Sequence, residues 1–263
     1  MSTLLDKARR GERLTEFDIV DLHGHLGRHQ HLIPDLSAAG IVRVLDRLGI
    51  RAIMLSHMQC ESMHARRGND ALLEAMRAFP GRILGYVIQF PTSRAEVAAE
   101  MERCLAAGFS GLKIENVNGH SYLNPAYEPA YAIANARCLP VLLHTWGCKD
   151  QEGEEVRTLA GRYPEAAFLL AHTGASGEER NYLEMARAFG NVYLDLALSV
   201  GPRGLLERLV GAVGADRITY GSDCCFFSMT QQIGKVLGAD IPDSDKAQIL
   251  SGNARRLLAR IVR

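Results

Sequence analysis

Residues 139–172 read LPVLLHTWGCKDQEGEEVRTLAGRYPEAAFLLAH. Two short apolar runs, Leu139 to His144 and Ala167 to His172, flank a charged stretch, and each run ends on a histidine. A run this short that stays apolar on both faces suits a parallel strand covered by helices, and the amphipathic stretch between the runs suits a helix. The same unit recurs in both directions along the chain. Phe17 to Leu22, Arg51 to Ser56, Arg82 to Phe90, Gly111 to Glu115, Asn191 to Leu196 and Arg217 to Asp223 bring the total to eight runs, with starts separated by 34, 31, 29, 28, 28, 24 and 26 residues. Those are the lengths of strand–helix units. No linker rich in Pro, Gly or Ser interrupts them, which predicts an α/β fold, a single (β/α)8 TIM barrel over residues 17–263. An open doubly wound sheet lacks its glycine-rich first turn here. Residues 1–16 read as a short N-terminal helical extension.

Local signals agree. Ser93-Arg94-Ala95-Glu96 is a capping-box pattern opening a helix, Asn69 is placed to cap the stretch running to Pro80, and Pro242 to Arg263 carries acids at its start and arginines at its end. The chain has 263 residues, 47% of them hydrophobic, with 30 basic against 30 acidic side chains. Zero net charge gives no long-range attraction for nucleic acid or an anionic membrane, so neither is an expected partner. No apolar run reaches the roughly 18 residues of a membrane span, and no signal-type stretch follows the start, so a cytoplasmic protein is expected. Six cysteines, at 60, 104, 138, 148, 224 and 225, form neither a secreted disulfide framework nor a CxxC zinc pattern.

In a barrel of this kind the chemistry sits where the strands exit, at their C-terminal ends. The first run exits through Asp21-Leu22-His23-Gly24-His25, and residues i and i+2 share a face, so His23 and His25 can chelate one ion. Lys113 lies on the fourth run, His144 ends the fifth, His172 the sixth and Asp223 the eighth. Nine histidines in this length give about 0.3 pairs at any one spacing by chance, and His29-Gln30-His31 is indeed a second HxH. It falls in a loop and reads as surface or a substrate contact. The first pair gains its weight from its company, because polar residues stand at four other exits where apolar ones would continue a strand.

Together these segments resemble the amidohydrolase superfamily, in particular its amidohydrolase-2-like, or amidohydrolase-related, branch of metal-dependent TIM-barrel hydrolases and decarboxylases. The resemblance rests on Asp21 to Gly27, Gly111 to Ile114, Pro140 to Thr145, Leu170 to Gly174, Tyr220 to Asp223 and Gly252 to Leu257, in the family's order. It implies a divalent ion held by His23, His25, His144 and Asp223, with His172 as an acid/base or as a ligand to a second metal. Imidazoles with a carboxylate suit Zn²⁺, and an open coordination position lowers the pKa of bound water to about 7. Asp223 is then the proton carrier. Lys113 pairs with a substrate carboxylate or, if carboxylated, bridges two metals; one ion is favoured.

The expected activity is hydrolysis of a small cyclic or carboxylated molecule, such as a lactone or amide. The alternative within the family is a non-oxidative decarboxylase, a lyase. A TatD-like nuclease is a weaker reading, since it brings a glutamate where this chain has Lys113, and a non-catalytic barrel would leave gaps in the ligand set. The chain departs from the family after Asp223, where Cys224-Cys225-Phe226-Phe227 replaces an aromatic residue and proline. Those cysteines, and Cys148, read as packing. Asp195 reads as a partner orienting a ligand histidine or as a structural hydrogen-bonding group. His57, Trp146, His64, His120, Arg66 and Arg67 are further residues on the exit side. The resemblance also favours a homo-oligomer, expected as a dimer.

Overall fold

The structure is a computed structural model, and it describes residues 3–28, 37–58, 65–116, 119–197 and 201–263. His29, His31, Cys60 and His64 lie outside the described residues. Eight parallel strands follow one another in sheet order. They are β1 (Ile19–Leu26), β2 (Ile50–His57), β3 (Ile83–Ile88), β4 (Gly111–Ile114), β5 (Pro140–Leu143), β6 (Ala167–Leu170), β7 (Val192–Asp195) and β8 (Ile218–Thr219). The helices are α1 (Thr3–Arg9), α2 (Ala38–Leu48), α3 (Ala65–Ala78), α4 (Arg94–Ala106), α5 (Glu128–Ala136), α6 (Asp150–Arg162), α7 (Glu179–Ala188), α8 (Leu205–Val213), α9 (Met229–Gly238), α10 (Asp243–Ala247) and α11 (Asn253–Ala259). This is the (β/α)8 barrel that the spacing of the apolar runs predicts. Among the described residues no helix is long and apolar enough to cross a membrane.

Alternation along each strand builds two cores. Met54, Leu142 and Leu169 turn into the barrel with Val20, Leu22, Tyr86 and Tyr193. Their neighbours Ile53, Leu55, Val141, Leu143, Phe168 and Leu170 turn outward to the helices. Both faces are buried, which is why the strands read as unbroken apolar runs. Ala254 and Leu257 of α11 join the inner core. The Asn253 side-chain amide donates to the carbonyls of Ala215 at 2.7 Å and Ile218 at 2.6 Å, at the start of β8. The last helix therefore closes the end opposite the strand exits.

The two ends of the sheet meet beyond β8. Leu22 N–H donates to Tyr220 C=O at 2.9 Å, Asp223 N–H to His23 C=O at 2.8 Å, and Gly24 bridges to Cys224. The predicted first strand, ending at Leu22, is thereby extended through both histidines to Leu26. Regular pairing in the eighth is correspondingly brief. The C-terminal stretch is also less uniform than its charge pattern suggests, because a wider turn at Gln248–Gly252 separates α10 from α11.

Ser93 caps α4 as predicted, its hydroxyl accepting from Glu96 N–H. Asn69 does something else. It lies inside α3, fully buried, where its side chain accepts from Ile88 N–H and donates to Ile88 C=O, both at 3.1 Å. Its amide also donates to Glu100 at 2.9 Å, so Asn69 ties α3 to the end of β3 and to α4 instead of starting a helix. Removing it orphans two buried backbone groups. We therefore expect Asn69→Ala to lower the unfolding free energy in urea by about 3 kcal/mol, and the exposed cap variant Ser93→Ala by about 1 kcal/mol. Equal losses would contradict this assignment.

Candidate active site

The seam between β1 and the segment after β8 collects three of the predicted ligands. One ligand atom from each of His23, His25 and Asp223 lies within 4.8 Å of the others, and all three side chains are buried. His25 Nε2 is 3.1 Å and His23 Nε2 3.5 Å from Asp223 Oδ1. The glycine between the histidines is required for packing, since a Cβ on Gly24 would meet Ile53 Cδ1 at 2.7 Å and Leu55 Cδ2 at 2.8 Å. Asp223 itself holds a left-handed backbone, φ 54°, as does His172, φ 58°. Such backbone is uncommon for residues with a side chain and aims both side chains from the turns that follow their strands.

Hydrogen bonding fixes the tautomers. His23 Nδ1 lies 2.9 Å from Asp195 Oδ1. Burial, with the Lys113 charge adding to it, holds the His23 pKa well below its usual value, so the ring is neutral and its one N–H goes to Asp195. Nε2 of His23 is left with a lone pair, fully buried and, among the described residues, without a hydrogen-bond partner. It faces an ionised carboxylate. Burial works to raise the Asp223 pKa, but the hydrogen bond from His25 helps to outweigh it, and the carboxyl is held below the usual range. A lone pair opposite a carboxylate, with no hydrogen between them, repels unless a cation sits there. The donor set therefore fits a divalent ion.

His144 and His172 flank this cluster. The His172 ring centroid is 5.2 Å from that of His23 and 4.9 Å from that of His144. The Ala197 carbonyl can only accept, so Nδ1 of His172 carries the hydrogen it shares with that oxygen. Burial lowers the pKa of His172 and pushes that of His144 down to about 3, leaving both rings neutral. His172 Nε2 then accepts from His144 Nδ1–H at 3.4 Å, and the lone pair of His144 resides on Nε2. That is the tautomer a metal-ligating histidine needs. Tyr122 O–H, donating to the His144 carbonyl, ties the same residue to the loop after β4.

Two further groups support the histidines from outside. Ser56 Oγ is 3.0 Å from His25 Nδ1, a contact that the sequence reading did not single out. Asp195 proves to be the partner of His23, and it also accepts from Ala197 N–H at 3.1 Å. Its other oxygen packs on Gly221, where a Cβ would stand 2.1 Å away. Lys113 is fully buried on β4, with Nζ 3.6 Å from Glu115 Oε1 and no hydrogen-bond partner among the described residues. Burial raises the Glu115 carboxyl, but the nearby Lys113 leads the effects that outweigh it and hold it below the usual carboxylate value. Glu115 is the charged neighbour that reading the exits one by one overlooked; its shared parity with Lys113 is the signal that finds it.

The remaining candidates separate. Trp146 stands 52% exposed with its ring 5.3 Å from that of His172, forming an outer wall. His57 is buried at the end of β2 beneath Gly27. Arg66 and Arg67 line a different cavity, of about 710 Å³, with Gln89 and Phe90. His120 packs edge-on to Phe90 at 6.5 Å. Burial pushes the thiol of Cys148 up to about 12 and that of Cys225 up to about 11, and raises Cys224 as well, which suits packing and not ligation.

Replacing His23 and His25 together by alanine is expected to abolish stoichiometric binding of a divalent ion, read by elemental analysis after dialysis. Asp195→Asn, which leaves the ligands in place but weakens the hold on the His23 tautomer, is expected to raise the metal dissociation constant by about 10- to 100-fold. Full metal retention in the double variant contradicts the site.

Residues 20–260 match the amidohydrolase family known as Amidohydro_2. A gamma-resorcylate decarboxylase from Polaromonas sp. strain JS666 is 24% identical over 82% of this chain and 85% of its own length. A 2,6-dihydroxybenzoate decarboxylase in complex with 2,6-dihydroxybenzoate superposes with a TM-score of 0.76 at 18% identity, covering 92% of this chain and 99% of that one. A dihydroxybenzoic acid decarboxylase from Polaromonas sp. JS666, with bound manganese and the inhibitor 2-nitroresorcinol, gives 0.70 at 20% identity over 92% and 97% of the two chains. Matched by that family model over almost its whole length and folded as a (β/α)8 barrel, this chain belongs to the amidohydrolase family.

Proposed function

We propose that this protein is a metal-dependent non-oxidative decarboxylase of a hydroxylated aromatic acid. The observation that carries the reading is the likeness to decarboxylases along most of the chain, joined to a buried His23–His25–Asp223 cluster. The residues alone put hydrolysis of a lactone or amide first; the relatives favour decarboxylation instead. His144 is the proposed fourth ligand, through the Nε2 lone pair that its hydrogen bond to His172 leaves available. The ion is one Zn²⁺ or Mn²⁺, manganese being the metal in a related decarboxylase. When bound, it supplies positive charge that draws in the oxygens of the acid and offsets the charge moving through the ring.

The rest falls to side chains of the chain itself. Loss of CO₂ requires a proton at the ring carbon that bore the carboxylate, so the C–C bond electrons return to the ring as the new C–H bond is made. Asp223 carries that proton. Ionised at rest, it takes the proton up from solvent as the substrate enters and gives it to the ring carbon, and its low pKa makes that protonated carboxyl a strong donor whose carboxylate His25 already stabilises. His172 Nε2, kept as an acceptor by the Ala197 carbonyl, holds the Nδ1–H of His144 and with it the orientation of that ring. Lys113 holds an oxygen that stays charged throughout. A salt bridge to the departing carboxylate would stabilise the ground state more than the transition state and slow the reaction. Glu115 and the closed floor around Lys113 keep that ammonium in place.

Incubating metal-loaded protein with 2,6-dihydroxybenzoate in D₂O is expected to release CO₂ and give resorcinol with one deuterium at the former carboxyl position. Asp223→Asn is expected to lower kcat by about 10²-fold or more, while Lys113→Met mainly raises KM. Hydrolysis of lactones or amides, with no CO₂ from any hydroxybenzoate tried, overturns the reading.

A further inference from the structure

The loop that leaves β5 carries Trp146, the chain's single tryptophan, half in water. Its backbone is fully engaged. Trp146 N–H is shared between the two carboxylate oxygens of Glu152, at 3.1 and 3.0 Å, Gly147 N–H donates to the Tyr182 hydroxyl at 2.9 Å, and Cys148 N–H donates to Glu152 Oε2 at 2.7 Å. The Asn181 amide donates to Gly147 C=O at 3.0 Å, and Gly147 itself supplies the left-handed backbone, φ 112°, that the turn requires. Glu152, near the start of α6, also accepts from the side-chain amide of Asn116 at 3.1 Å, the residue after Glu115. One carboxylate thus joins the loops that leave β4 and β5.

An indole on a loose loop is free to fold down onto the nearest apolar surface, and surface loops ordinarily leave much of their backbone to water. Here the backbone is bonded in place and the indole still stands open. It rests on His172, with 5.3 Å between ring centroids, and His172 lies 5.2 Å from His23. One ring therefore separates the indole from the ligand cluster, within reach of a benzoic acid whose oxygens lie there. A flat aromatic surface fixed in advance binds a second ring without the cost of ordering it, and stacked or edge-to-face contact favours an arene over a saturated ring of the same size. We propose that Trp146 is the wall against which the aromatic ring of the substrate packs, and that Glu152 is the positioning residue that holds it there. Resting on the proposed function, this makes Trp146 the residue that selects an aromatic acid over an aliphatic one.

The test uses the metal-loaded full chain, with resorcinol and its saturated counterpart cyclohexane-1,3-diol as probes, neither of which has a carboxylate to lose. Because Trp146 is the only tryptophan, its emission reports on what covers it. Saturating resorcinol is expected to shift that emission to the blue and to protect it from quenching by acrylamide, and cyclohexane-1,3-diol to do neither. By calorimetry, Trp146→Leu is expected to weaken resorcinol about tenfold and cyclohexane-1,3-diol less than about twofold, with Trp146→Phe recovering most of the loss. Glu152→Gln is expected to keep its stoichiometric divalent ion and to lose the protection from acrylamide. Resorcinol that binds without changing the emission, equal weakening of both probes in Trp146→Leu, full protection in Glu152→Gln, or an emission that follows protein concentration and not resorcinol would each overturn the proposal while leaving the decarboxylase reading in place. Failure of resorcinol to bind the metal-loaded chain at all overturns both.

Discussion

The Asp21 carboxylate joins the first strand to the last. Its Oδ1 accepts from His23 N–H at 3.1 Å and from Ser222 N–H at 3.0 Å, so one buried oxygen spans a sequence separation of 201 residues. A parallel barrel has two sheet edges to join, and until they meet His23 and Asp223 belong to opposite ends of the chain. Closure at Asp21, with the backbone bonds from Asp223 to His23 and from Leu22 to Tyr220, brings them together. The fold and the ligand cluster are thus one event. Any change that opens the seam removes the site even if every ligand residue is kept.

Closure also sets the electrostatics. Burial raises the carboxyls of Asp21 and Asp195 to about 7 each, because neither can be ionised in this interior without specific support. Asp223, a short way along the same seam, is held in the opposite direction, helped by its hydrogen bond from His25. Neighbouring carboxyls pushed apart in this way are the usual mark of a site with divided roles. Asp21 and Asp195 position His23, while the Asp223 carboxylate faces Nε2 of His25 across the seam. A divalent ion placed between His23 Nε2 and Asp223 relieves the repulsion that the bare cluster contains, so metal binding and stability are expected to be coupled.

Much of this was legible in the residues because it follows from periodicity. Apolar runs spaced by about one strand–helix unit fix the barrel, and the parity of His23 with His25 places both on its inner face. Asp223 could be read from its position at the last exit. Contacts between distant segments were not legible in the same way. Asn69 carries an ordinary capping residue's chemistry, and only the packing of α3 against β3 turns that chemistry toward Ile88. Ser56 gives no sign in the sequence that it will meet His25. Glu115 was within reach of a parity argument, yet its pairing with Lys113 becomes evident only when both prove to be buried. The choice between hydrolysis and decarboxylation was not legible at all, since both use the same ligands and differ in what the loops admit.

The central claim is that barrel closure creates one divalent-ion centre from His23, His25 and Asp223, completed by His144. Anomalous diffraction from crystals grown with Mn²⁺, recorded on both sides of the manganese edge, addresses it most directly. The account predicts a single strong peak within coordinating distance of Nε2 of His23, Nε2 of His25, Nε2 of His144 and a carboxylate oxygen of Asp223. A fully occupied ion elsewhere in the barrel mouth, or one coordinated without the Asp223 carboxylate, would contradict it.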